Sequence, residues 1–394
     1  MKRKKLTASM IALVMSVSLP MTTYAANWYL EDGSVTVNAD NSGQTVTQGS
    51  GSAVPDEAPV ITQRESSVET GNTITINAAE NATANVTISD VNINTSDAAV
   101  STSGKGNVNI ELDGTNTLKS GVNHAGLEKN SDGNQGKLTI TDENENGKLI
   151  ATGGNGAAGI GGGLYAGGND ITIIGGEITA TGGECGAGIG GGFYTGGNDI
   201  TIAGGKVTAT GGDYGAGIGG GFFGNGNDIT ITGGKVTATG GDYGAGIGGG
   251  NQGNGSNITI TDGEVAATGG TNGAGIGGGL RKNGEKITVS GDATLKVQGG
   301  PTDTWDGAGA GIGNGGSHNG EFSGSFIPVN GAETEPDTSN LTTGKIEYYA
   351  PGADMTKDEP TSTILGSGQP TSPGETAAPV EYRMQTSASE PRCV

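Results

Sequence analysis

The chain has 394 residues, 81 of them glycine, with 4% aromatic and 15% charged residues. Its formal net charge of −21 makes nucleic acid and anionic membrane surfaces poor partners and cations good ones. So much glycine would suit collagen or disorder, but there is no Gly-X-Y triplet, and the glycines fall at a fixed interval with apolar residues between them.

In chain order, Lys2 to Lys5 form a basic segment, Leu6 to Leu19 an apolar one, and Thr23-Tyr24-Ala25 ends in a small-residue cleavage pattern. Residues 1–25 therefore read as a secretory signal peptide, and the expected location is secreted or extracellular, with cell-surface association. Residues 1–25 carry four basic and no acidic residues, so the chain without them stands at about −25. No later stretch reaches the roughly 18 apolar residues of a membrane span, so no membrane insertion is expected after cleavage.

Residues 26–70 are expected to form an N-terminal cap and lead-in strands, with Trp28 to Val37 as the cap. From residue 71 to 320 the chain reads as a solenoid. Its early coils are irregular: TITIN from Thr73, NVNIELDGTNTL from Asn107, HAGLEKN from His124, GKLTI from Gly136 and GKLIATGG from Gly147. Then the stretch GAGIGGG appears at Gly186 and returns at Gly215, Gly244 and Gly273. Its isoleucine falls at Ile160, Ile189, Ile218, Ile247 and Ile276 in steps of 29, and at Ile312 after 36. Such periods mark arrays in which each unit buries its face against its neighbours.

One unit, residues 200–228, holds three runs of period-2 alternation, Ile200/Ile202, Val207/Ala209 and Ala216/Ile218, each bounded by glycine. Alternating β-branched residues argue strand, and no segment has helical periodicity. The expected fold is all-β: a single-stranded parallel β-helix with three short strands per coil of about 29 residues and a rise of about 4.8 Å. The glycines are expected to turn corners at positive φ and keep one wall thin. Residues 321–350 read as the irregular end of the solenoid, and 351–394, rich in Pro, Thr, Ser and Glu, as a tail or linker.

The order NVNIELDGTNTLKSG, HAGLEKN, GKLTI, GKLIATGG and then the GI-centred repeats resembles the secreted carbohydrate-binding right-handed β-helix proteins of anaerobic Gram-positive bacteria, which are similar in shape to pectate lyases. The resemblance covers roughly residues 70–320. It implies a right-handed coil and binding of acidic plant polysaccharide with calcium, without established enzymatic activity. In that family a run of aspartates follows the GI strand. Here GGG follows it, so those calcium positions do not carry over.

Stacking turns each repeat position into a column. Asp170, Asp199 and Asp228 form one, continued by Asn257 and preceded by Asn169, Asn198 and Asn227; Glu184, Asp213 and Asp242 form another. Calcium is the cation such oxygens suit, and a ladder of Asn/Asp turns is the plain alternative. Tyr165, Phe193-Tyr194 and Phe222-Phe223 follow the GGG runs, with Tyr214 and Tyr243 in a shorter column, and such rings suit sugars unless they only pack over a corner. Arg281, Lys282 and Lys286 form a basic patch for a uronate carboxylate. Thr179/Thr181, Thr208/Thr210 and Thr237/Thr239 have a spacing that suits ice, or are ordinary solvated strand positions.

A catalytic role fits poorly. The acidic positions recur in every coil whereas an active site is singular, His124 and His318 are far apart in sequence, and no serine or cysteine triad is visible. Cys185 replaces the tyrosine of the next two repeats, and with Cys393 it gives no disulfide framework. The leading expectation is a non-catalytic binder of polysaccharide or surface glycan. A structural or adhesive surface solenoid, a polysaccharide lyase or hydrolase, and an ice-binding solenoid are the alternatives.

Overall fold

The computed structural model describes residues 26–131, 136–319 and 327–368; the expected signal peptide and the end of the expected tail lie outside them. The described chain is a parallel β-solenoid of about nine turns. Its one helical segment among the described residues is a short 3-10 turn, Leu30–Asp32.

Each coil contributes to three walls. Wall A holds Ile171–Ile173 and Gly197–Ile202, and wall B holds Glu177–Thr181 and Lys206–Thr210. In two coils the chain runs from A to B unbroken, as Gly226–Thr239 and Gly255–Thr268. Wall C is a stack of two-residue strands, Ile160–Gly161, Ile189–Gly190, Ile218–Gly219, Ile247–Gly248, Ile276–Gly277 and Ile312–Gly313. Register is fixed residue on residue: Ile171, Ile200, Ile229, Ile258 and Ile287 pair in succession, as do Ile189, Ile218 and Ile247. A slip of one residue would turn every apolar side chain outward. Ile200, Ile202, Val207, Ala209 and Ile218 are all at most 1% exposed and belong to one continuous core.

The irregular early coils are true coils. Ile74–Ala78, Val100–Ser103 and Leu127–Lys129 stack below Ile160 in wall C, and Asn107–Asp113 and Leu138–Thr141 lead up to Ile171 in wall A.

Within GAGIGGG the expected positive φ falls to one glycine and close approach of the coils to the rest. Of the five in residues 186–192, only Gly190 has positive φ, 131°. The others are needed for space: a Cβ on Gly186 would lie 1.9 Å from the Ala157 carbonyl oxygen of the coil below, and one on Gly192 2.1 Å from that of Gly163. The other left-handed corners are shared: Gly176, Gly205, Gly234 and Gly263 turn the chain between walls A and B at φ 79° to 95°, as expected, while Tyr165, Tyr194 and Phe223, and Asp170, Asp199 and Asp228, turn it without glycine at φ between 54° and 63°.

Both ends are closed by antiparallel pairing. Of the cap expected from Trp28 to Val37, Asn27–Tyr29 is an outer strand paired with Val60–Thr62, whereas Val35–Asp40 already stacks in parallel on Ile74–Ala78. Wall C is capped by Gly43–Gln48, antiparallel to Val35–Asp40 and to Val54–Pro55. At the other end Lys345–Tyr349 adds to Thr294–Gln298 in parallel, and Ser362–Leu365 covers it antiparallel. The irregular end of the solenoid therefore runs past the boundary expected at residue 351, through Ser362–Leu365. The chain there is tied down by hydrogen bonds from Gln298 Nε2 to the Ala350 and Ala353 carbonyls and from Lys296 Nζ to that of Met355.

Wall C ends on a side chain. In inner coils the amide of Ile276 donates to the carbonyl of Gly311 in the coil above. For the last rung, Glu333 Oε1 and Oε2 accept from Gly311 N at 2.7 Å and Ile312 N at 3.0 Å. Burial pushes the Glu333 carboxyl up, against the downward pull of those two bonds.

Candidate functional site

After each GGG the chain turns sharply outward, and the turn presents two side chains. The amide of Phe193 donates to Gly156 in the coil below, at 2.9 Å, and that of Tyr194 to Phe222 in the coil above, at 2.8 Å. Phe222 and Phe223 repeat the arrangement with Cys185 and Asn251. The first ring of each pair is half-buried, while the second stands out: Tyr165 is 63% exposed, Tyr194 54% and Phe223 38%. All three outer residues are left-handed, at φ 59°, 63° and 60°. That backbone costs an L side chain roughly 1–2 kcal/mol and is free to glycine.

The rings form one contiguous strip. Tyr194 and Phe223 lie 5.1 Å apart at 2°, Phe193 and Phe222 5.6 Å apart at 14°, and Tyr165 and Tyr194 6.3 Å apart at 25°. Tyr214 joins the strip through Phe222 at 5.2 Å and stacks on Tyr243 at 6.1 Å. Parallel rings this close are offset-stacked. The rings therefore stack on one another coil by coil and leave part of each outer ring open to solvent, not the row of fully open faces that the sequence suggests.

Beside the strip runs the second acidic column. Glu184, Asp213 and Asp242 are exposed and immediately precede Cys185, Tyr214 and Tyr243. Burial, then Glu184 and Asp213, push the Cys185 thiol up; burial, then Asp303 and Asp242, do the same to the Tyr243 phenol. Glu184 also accepts from Asn155 Nδ2 at 2.7 Å.

The far end of the strip is polar and built. Arg281 occupies the left-handed position of the ring column (φ 59°), and its Nε and Nη2 donate to Asp306 at 2.9 and 2.7 Å. Asp306 is buried, and His318 Nδ1 lies 2.8 Å from it. Its burial acts upward, but Arg281 and His318 hold its carboxyl below the usual range. Arg281 is thus committed to a carboxylate of its own chain, which removes most of the uronate-binding patch expected with Lys282. Lys286 continues a different column, that of the aspartates, at φ 54°. Asn251 and Asn272, 6% and 0% exposed, carry on the Phe222 and Tyr243 columns, and the Oδ1 of each accepts no hydrogen bond among the described residues. At the near end, Glu128 is held by His124 Nδ1 at 3.0 Å, Ala125 N at 3.0 Å and Asn130 Nδ2 at 2.8 Å.

The Asp170, Asp199, Asp228 column lines an open groove of about 350 Å³ with Thr172, Thr201, Thr230, Asn257, Thr259 and Lys137. Lys137 sits one coil below Asp170, as Leu138 pairs with Ile171, and Lys286 one coil above Asn257, so lysine stands at both ends of the acidic run. Burial, then Asp170 and Asp228, push the Asp199 carboxyl up. Among the described residues no three His, Cys, Asp or Glu side chains are grouped to hold a metal ion. The neighbouring asparagines form the turn ladder: Asn198 N donates to Asn169 Oδ1 at 2.9 Å, and Asn227 N to Asn198 Oδ1 at 3.3 Å. Sequence reading missed the threonine rank beside them, from Thr139 through Thr172, Thr201, Thr230 and Thr259 to Thr288, although from Thr172 onward its 29-residue step was there to find.

A family model described as a beta helix repeat matches residues 145–164, 171–193, 200–222, 229–251 and 258–280. The later matches run from a wall A isoleucine to the first side chain after GGG, so Tyr194 and Phe223 lie one residue past them. No curated protein and no solved structure matches the chain.

Proposed function

We propose that the chain is an exported, non-catalytic glycan-binding solenoid that holds a polysaccharide along the ring strip. One observation carries the reading. Tyr165, Tyr194 and Phe223 are exposed rings at left-handed corners, where glycine or asparagine would turn the chain at lower cost. Of the chain's sixteen aromatic residues, seven are gathered in this strip. Rings that served only to cover a corner would be buried there; these are not.

Stacked on a rigid wall, the rings offer successive weak contacts to one polymer, and such contacts add as avidity without a single tight site. The reading is non-catalytic because its polar groups recur coil by coil, which suits multivalent binding. Calcium enters it only at the Asp170, Asp199, Asp228 column, by offsetting stacked carboxylates. A ligand-free surface stalk accounts for the stacked coils but gives no reason for the strained, exposed rings.

The test is a glycan array in calcium and in chelator, comparing the parent with a Tyr194→Ala, Phe223→Ala double variant. Binding to polymer but little to monosaccharide is expected, weakened in the variant while its circular dichroism stays that of the parent and its melting temperature falls only by the lost ring contacts. A variant that binds polymer as its parent does would reduce the strip to packing. Equal binding in calcium and chelator would remove the metal.

A further inference from the structure

We propose that the strip selects a glycan carrying free amino groups, an amino-sugar polymer with unacetylated residues, over uronate and neutral glycans. This rests on the glycan-binding reading of the same strip and adds the charge of the ligand.

Three observations converge. The rings are electron-rich and partly exposed, and an ammonium group over the face of a tyrosine or phenylalanine is attracted by the ring quadrupole. Along the strip runs the column Glu184, Asp213, Asp242, all three exposed and each immediately preceding Cys185, Tyr214 or Tyr243. The cation that would reverse the local sign, Arg281, is tied bidentately to buried Asp306. An incoming uronate therefore meets carboxylates with little to offset them, whereas an ammonium meets both ring faces and counter-charges.

The experiment is calorimetric titration of the protein with glucosamine hexamer, N-acetylglucosamine hexamer, hexagalacturonate and a short polylysine, repeated with Asp213→Asn, Asp242→Asn and with Tyr194→Ala, Phe223→Ala. The amine hexamer should bind about tenfold more tightly than its acetylated counterpart, and that margin should shrink with added salt. The Asn double variant should lose the margin while keeping its affinity for the acetylated form and its melting curve. Equal binding of the amine and acetylated hexamers, or tighter binding of galacturonate, overturns the charge preference and leaves the glycan reading standing. Polylysine binding as tightly as the amine hexamer, indifferent to the ring substitutions, also overturns it. Binding of no hexamer removes the glycan reading itself.

Discussion

Tyr194 and Phe223, one coil apart, stack at 5.1 Å with ring planes 2° from parallel, and both hold a left-handed backbone, at φ 63° and 60°. Strain and stacking act on the same residue in opposite directions. Glycine at Tyr194 relieves roughly 1–2 kcal/mol of backbone strain and loses roughly 0.5–1.5 kcal/mol of ring contact. Tyr194→Gly should thus melt within a few degrees of the parent, while Tyr194→Ala, which keeps the strain, melts lower than Tyr194→Gly. Both should lose affinity for polymer. Thermal unfolding followed by circular dichroism ranks them, and an alanine variant as stable as the glycine one would contradict the left-handed corner.

The glycines that lie between coils make a different demand. A Cβ on Gly212 would stand 1.7 Å from the Gly183 carbonyl oxygen, whereas one on Gly71 would meet nothing within 4 Å. Gly212→Ala must push two coils apart and should cost about 1–3 kcal/mol, as overpacking of a tight interior does. Gly71→Ala should be neutral or slightly stabilising, since it only restrains the unfolded chain. Urea denaturation of the two variants should separate them clearly, and similar midpoints would mean that the coils are looser than described.

Asp199 supplies a pH test. Burial and its neighbours Asp170 and Asp228 place its folded value above the ordinary 3.8. A raised carboxyl destabilises the fold when ionised, so stability is gained as pH falls through the folded value towards 3.8 and is lost again on the way up. Asp199→Asn removes the repulsion and keeps the backbone, since Asn257 occupies the same position at φ 55°. The variant should melt higher than the parent at neutral pH, with the gap closing on acidification. Should it melt lower at neutral pH, and only when calcium is present, the column is bridged by the cation.

Glu177 behaves in the opposite sense. Hydrogen bonds from Lys206 at 2.7 Å and Lys148 at 2.9 Å, in the coils on either side, hold its carboxyl down to about 2. A depressed carboxyl stabilises the fold above its unfolded value of 4.5, and that contribution disappears as pH falls towards about 2. Glu177→Gln should lower the melting temperature at neutral pH and low salt, and match the parent near pH 2 or at high ionic strength. A gap that survives high salt would mean that the three-coil bridge is not electrostatic.

The stacking of Ile200 on Ile229 and of Ile189 on Ile218 was legible because a repeated unit prints the same alternation many times over. Periodicity also revealed which side chains share a column. It could not reveal how a column is used. Tyr194 and Asp199 look alike as turn residues, and only the coordinates show that one carries an exposed, stacked ring and the other a repelled carboxylate. Contacts made once escape this reading altogether. The grip of Asp306 on Arg281 and His318 crosses the stretch where the step lengthens from 29 to 36. The antiparallel cap of Gly43–Gln48 and the carboxylate of Glu333 lie in segments without a repeat.

Residues 200–228 form a unit whose two axial faces are interchangeable with those of its neighbours, for Ile200 meets Ile229 as it meets Ile171. The caps touch only the outermost coils. Duplication of 29 codons within the gene would therefore lengthen the solenoid by one coil, about 4.8 Å, and add one ring pair without disturbing either end. Recombination between near-identical repeats can thus tune how much polymer the wall spans in whole steps, each giving a folded protein, so that reach evolves by counting units and not by remaking a site.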